Sequence, residues 1–152
     1  MYQHILFPTD GSDGAEFALD HAIDLASTYD ATLHVLHVVA DVWYPSGDPE
    51  GFDFDMSSVE KHLQERGDRL VREASERAAE SGVDCETEVV TGRTPHRAIV
   101  DATEDHDVDL VVMATHGRRG LDRLLMGSVA EKVLRLSEVP VLAVKFPEEA
   151  DE

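Results

Sequence analysis

Residues Val108 to Ser137 read VDLVVMATHGRRGLDRLLMGSVAEKVLRLS. The stretch opens with a continuous apolar run, Leu110 to Ala114. Turn chemistry follows at His116-Gly117, then a loop, then Gly127-Ser128 and a helical pattern. A hydrophobic strand that ends in glycine and leads into a helix is a common layout for an anion site. Glycine lets a backbone N–H approach an anion closely, and a helix start offers unpaired N–H donors with a favourable dipole. Ser128 is expected to cap the helix, with Glu131 three residues on closing a capping box. Arg118, Arg119 and Arg123 make the loop a basic island in an acidic chain. A plain strand–loop–helix connection with solvated arginines fits the same residues, so this stretch alone leaves both readings open.

Working outward, the apolar run His4 to Pro8 predicts a first strand, closed by the turn Thr9-Asp10-Gly11-Ser12-Asp13-Gly14. Ser12 or Asp13 caps the next helix, Asp13 with Glu16 forming a capping-box pattern. Ala15, Ala18, Leu19, Ala22, Leu25, Ala26 and Tyr29 recur at helical spacing and give that helix an alanine-rich face. Ala31 to Val39 is a nearly continuous β-rich run. Ser58 to Ser81 is a charged helix with i,i+4 pairs such as Glu73–Arg77, interrupted by Gly67 and stopped by Gly82. Val83 to Val90 alternates like an edge strand. Thr94 and Pro95 start a helix whose Ala98, Ile99 and Ala102 face inward. Val139 to Phe146 is a fifth strand. Asp41 to Ser57, with Trp43 and Tyr44, is an irregular segment of the length of a lid or binding loop. Its aromatics would either cover a ligand or pack on a partner subunit.

Strand and helix alternate throughout. Right-handed crossovers then give an α/β three-layer sandwich: a five-stranded parallel sheet with helices on both faces. Residues 1–147 are expected to form one domain, with 148–152 a short acidic tail.

The motif Ala114-Thr115-His116-Gly117, nine residues, then Gly127-Ser128 resembles the nucleotide-binding signature of the universal stress protein family, Gly-x-x-Gly-x9-Gly-Ser/Thr. The resemblance extends from HILFPTDGS near the start to PVLAVK near the end. One position departs, since Ala114 stands where the signature has its first glycine. The resemblance implies sheet order 3-2-1-4-5, with the switch point between strands one and four. Asp10 then lies beside the glycine loop, and two separate motifs meet in one crevice.

By the same resemblance, the ligand is ATP, or ADP or AMP, with Mg2+ as a companion. Asp10 would contact adenosine, and backbone groups around Val38 would flank adenine. Gly117, Gly127, Ser128 and Val129 would hold phosphates through N–H donors, with Arg118 or Arg119 adding charge. Pro8, Thr9, Met113, Ala114 and His116 complete the implied contacts. A homodimer through strand five is implied as well. From position alone, Asp10 has a plainer role, a turn aspartate bonding its own loop.

The composition sets limits. The chain has 152 residues, with 13 Lys+Arg against 32 Asp+Glu and a formal charge of −19. Such a surface repels phosphate backbones, which argues against a nucleic-acid or anionic-membrane binder. Acid excess with only Lys61, Lys132 and Lys145 points to a salt-rich cytoplasm, as in a halophilic archaeon; an acidic mesophilic protein is the alternative. Cys85 is the only cysteine, so an intramolecular disulfide and a cysteine metal cluster are both excluded. His34 and His37 are three apart on a strand and face opposite ways, so they do not form a metal pair. The chain shows neither a signal peptide nor a membrane-length apolar run, and a cytoplasmic protein is expected.

P-loop and Rossmann fingerprints are absent, and Asp10-Gly11-Ser12-Asp13 matches the Ser-Gly-Gly-x-Asp-Ser loop of ATP-pyrophosphatases poorly. The expected function is a binding or regulatory module for adenine nucleotide. Two alternatives stand beside it. One is a slow ATP hydrolase using Asp10, Asp13 and His116; the other is a nucleotide-free interaction protein.

Overall fold

In the computed structural model, residues 1–40, 56–116 and 126–147 are described. Nine elements alternate along them: β1 (His4–Pro8), α1 (Asp13–Tyr29), β2 (Thr32–Val39), α2 (Met56–Glu80), β3 (Cys85–Thr91), α3 (Pro95–Asp105), β4 (Leu110–Ala114), α4 (Ser128–Leu136) and β5 (Val141–Val144). The strands form one parallel sheet in the order β3-β2-β1-β4-β5, as expected. Trp43, Tyr44 and the acidic tail lie outside the described residues. Among the described residues no helix is long and apolar enough to cross a membrane.

The apolar runs of β1, β2 and β4 are continuous because both faces of these strands are covered. Ile5, Phe7, Leu33, Val35 and Val112 join one core layer with the alanines of α1 and α2. Leu6, Leu36, Val111 and Met113 join the other, with Ile99 and Ala102 of α3 and Ala130 and Val133 of α4. The sandwich therefore has two separate cores divided by the sheet. Its edge strand β3 is half exposed, which accounts for its alternating sequence.

Local details differ from expectation where tertiary contacts intervene. Of the two cap candidates, Ser12 is the one that caps α1; its extended backbone lets Oγ accept the Ala15 N–H at 3.2 Å. Asp13 is already helical, so the Asp13–Glu16 box does not form. Ile23 is buried in the α1 stripe, whereas Tyr29 is 40% exposed at the last turn and stacks edge-on against Tyr2. Arg77, expected to pair with Glu73, reaches across to Glu16 and Asp20 of α1 and ties the two helices of that layer.

Gly67 interrupts the α2 stripe because α2 lies very close to the sheet there. A Cβ at that position would stand 2.8 Å from His37 Cδ2 and 3.0 Å from Val89 Cγ1. β5 is shorter than the apolar run that predicted it. Pro140 precedes it without an N–H to give, although its carbonyl still accepts the Val111 N–H at 2.9 Å.

Candidate functional site

A crevice of about 600 Å3 opens beyond the carboxyl ends of β1 and β4, where strand order reverses. One wall is the turn after β1. The Thr9 N–H donates to the Leu36 carbonyl at 2.9 Å and carries the β1–β2 pairing past Pro8. His37, buried on the opposite face, donates its Nδ1–H to the Thr9 carbonyl at 2.8 Å. Gly11 sits at φ +78°, and its N–H reaches Thr9 Oγ1 at 3.1 Å. The Ser12 N–H reaches Asp10 Oδ1 at 2.9 Å, and Arg66 of α2 donates to the Asp10 carbonyl at 3.3 Å. These bonds hold the half-buried Asp10 carboxylate at the rim. Asp10 thus braces its own turn and also lines the crevice.

The facing wall comes from the end of β4 and the start of α4. The Thr115 N–H donates to the Val144 carbonyl at 3.1 Å, and the Thr115 carbonyl accepts the Gly127 N–H at 2.6 Å. That second bond brings the two ends of the glycine loop together. The first helical bond of α4 runs from the Glu131 N–H to the Gly127 carbonyl at 3.0 Å. The amides of Ser128, Val129 and Ala130 precede it and lie in the first turn, where a helix leaves donors without intrahelical partners. All three residues line the crevice. Between the walls lie Leu36, Val38 and Ala40 of β2 and its end, with Pro95 and Ile99 of α3.

The sequence-derived residues converge here. Pro8, Thr9, Asp10 and Val38 line the crevice, as do Met113, Ala114 and His116. Gly127, Ser128 and Val129 close it from α4. Gly117 and Arg118 lie outside the described residues.

Two expectations need correction. Ser128 is the first helical residue and not the cap; Gly127 takes the cap position at φ −61°, ψ 151°, without a side-chain cap bond. The Ser128–Glu131 capping box therefore does not form. The Gly127 amide, expected to donate to phosphate, donates instead to the Thr115 carbonyl. Ala114, at the first motif position, packs toward the α1 layer. Its methyl stands 3.6 Å from where Gly14 would carry a Cβ, an ordinary contact distance, so the two turns pack closely here.

Leu36, Ala40, Pro95, Ile99 and Thr115 line the crevice without standing out in the sequence. Leu36 carries a signal, because it shares the face of Val38 at a spacing of two. Ile99 carries one too, since its i,i+4 relation to Pro95 puts both on one side of α3. The crevice thus offers a carboxylate acceptor on one side, amide donors on the other, and apolar walls between. That pattern suits a ligand with a flat apolar body, a hydrogen-bond donor and an anionic group.

Known proteins share this architecture. The chain matches the universal stress protein family over residues 1–145. A universal stress protein of Methanocaldococcus jannaschii is 39% identical over 147 residues, covering 97% of this chain and 84% of that protein. The solved UspA of Lactobacillus plantarum superposes with a TM-score of 0.82 at 28% identity, covering 94% and 97% of the two chains. A universal stress protein solved in complex with cAMP gives 0.71 at 28%, also covering 94% and 97%. With fold, motif positions and length all in agreement, the chain belongs to the universal stress protein family.

Proposed function

We propose that the crevice binds an adenine nucleotide and that the protein acts as a nucleotide-responsive regulatory module. The observation that carries this is the opposition of the Asp10 carboxylate to the first-turn amides of α4 across one apolar crevice. Asp10 accepts hydrogen bonds from the adenosine half. Leu36, Val38, Pro95 and Ile99 give the base an apolar slot. Ser128 and Val129 donate backbone N–H groups to phosphate. The relative solved with cAMP supports this reading through a shared fold.

ATP is the ligand we favour, with ADP and AMP accepted by the same contacts. Asp10 is the only carboxylate among the described lining residues, and it already braces the Ser12 amide. Mg2+ would therefore be held by the phosphates and water, as is usual for this ion, and not by a protein cage. β5 is a sheet edge with Leu142 exposed, which supports a homodimer formed through that strand. We place this protein in a salt-rich cytoplasm, on the strength of its −19 charge.

Mass spectrometry of small molecules released from natively purified protein tests the reading. Recovery of ATP, ADP or AMP at near-stoichiometric yield is the expected result. A chain that carries none and binds none in calorimetry would instead be a nucleotide-free interaction protein.

A further inference from the structure

At the other end of the sheet a second cavity, of about 260 Å3, opens between β2, β3 and the end of α3. It lies on the α3–α4 face, because His34 shares a side of β2 with Leu36, two residues on, which packs in that layer. The β2–β3 register sets Glu86 directly beside His34, and Glu88 beside Leu36. α3 ends at Asp105. His106 caps it, its N–H bonding the Ala102 carbonyl at 3.1 Å. The His106 ring is thereby stacked on that of His34, with centroids 5.1 Å apart and planes at 27°.

We propose that His34, Glu86 and His106 form a binding site for a divalent transition-metal ion, with Zn2+ the best match to two imidazoles and a carboxylate. One donor atom from each residue lies within 4.8 Å of the other two. His34 Nδ1 and Glu86 Oε2 are already 3.2 Å apart. Two ligands of a tetrahedral ion held at its usual bond lengths are separated by about 3.3 Å.

The remaining closure falls on the side chains best able to move. Glu86 is 67% exposed and His106 34%, whereas His34 is 8% exposed and anchored in the sheet. Nitrogen donors disfavour Ca2+ and Mg2+, which take oxygen.

The surroundings fit as well. His4 Nδ1 lies 3.1 Å from His34 Nε2. With His34 bound to the ion through Nδ1, its Nε2–H donates to His4, the outer partner that a ligating histidine ordinarily has. Glu88 Oε2 stands 3.0 Å from His106 Nε2 and is available to orient that ring or to complete the coordination. Burial foremost, with His106 and His4 acting in the same sense against Glu86 and Glu88, lowers the His34 pKa below its ordinary value. Val38 of the nucleotide crevice is four residues from His34 along β2, about 13 Å away, so the two sites do not share ligands.

Calorimetric titration of chelator-treated full-length protein with Zn2+ tests the site, with Co2+ absorption as a second readout. One strong site per chain is expected. His106→Ala and Glu86→Gln should each weaken it at least about tenfold and change the Co2+ spectrum, while Asp10→Ala leaves it unchanged. Both changed side chains are partly exposed, so circular dichroism should show folded variants. Absence of stoichiometric Zn2+ binding would overturn the proposal. So would binding that survives both substitutions undiminished, because the ion would then sit on other side chains of this acidic surface.

Discussion

At the carboxyl end of the sheet the chemical groups come from strand ends and helix starts: Pro8 to Asp10 with Ser12, then Thr115 and His116 with Gly127 to Val129, and the switch in strand order brings them together. At the amino end, His34, Glu86 and His106 come from three separate elements, and only the β2–β3 register and the end of α3 unite them. The first kind of site is written into local sequence. The second exists only once strands have paired. The two proposals therefore set an anion-seeking site and a cation-seeking site toward opposite ends of one sheet, sharing β2.

The largest expected effect separates the two ends outright. Gly127 holds φ −61°, which any residue adopts, so Gly127→Val should fold. Its side chain would crowd the approach to the Ser128 and Val129 amides. Titration with a fluorescent ATP analogue should show binding lost, with Zn2+ binding retained. Unchanged nucleotide affinity in a folded variant would remove the phosphate role of α4.

Asp10→Ala should come next. A carboxylate accepts from amino or hydroxyl groups and repels phosphate. Its loss should weaken ATP and adenosine by a similar factor, about 1.5–3 kcal/mol for a lost charged hydrogen bond. Inorganic triphosphate, if it binds measurably, should be unaffected or slightly favoured. Selective loss of triphosphate binding would instead move Asp10 to the phosphates and strengthen a hydrolase reading.

The unequal legibility of the two ends has a physical cause. Strand order, the turn at Asp10 and the start of α4 follow from periodicity, glycine placement and the family signature, all of them local. Ser128 reads as a cap in sequence and is not one, because cap geometry depends on where Thr115 draws the Gly127 amide, a contact across the loop. His34 reads as inert because its spacing to His37 puts them on opposite faces, and that holds. His37 turns to the Thr9 carbonyl while His34 turns to Glu86. Pairing partners on other strands cannot be counted along one.

Gly67 gives a smaller, connected test. Gly67→Ala gains about 1 kcal/mol of helix propensity but forces a methyl against His37 and Val89. Overpacking costs about 1–3 kcal/mol, so we expect a net loss of up to about 2 kcal/mol in denaturant unfolding. Because His37 braces Thr9, nucleotide affinity should fall a few-fold while Zn2+ affinity holds. A more stable variant with full nucleotide affinity would show that α2 can lift off the sheet without disturbing the crevice.

The mildest test uses salt and should act on the two ends with opposite sign. A chain of formal charge −19 repels an anionic nucleotide and attracts a cation at long range. Screening shortens both effects, to a range of about 3 Å at 1 M salt. From low to molar salt, ATP affinity should rise and Zn2+ affinity should fall, each by a few-fold. The thermal midpoint should also rise as self-repulsion is screened. Adenosine, being uncharged, is the control and should change little. If ATP and Zn2+ affinities moved together, local charges at each end would outweigh the net field. A thermal midpoint indifferent to salt would count against the salt-rich host as well.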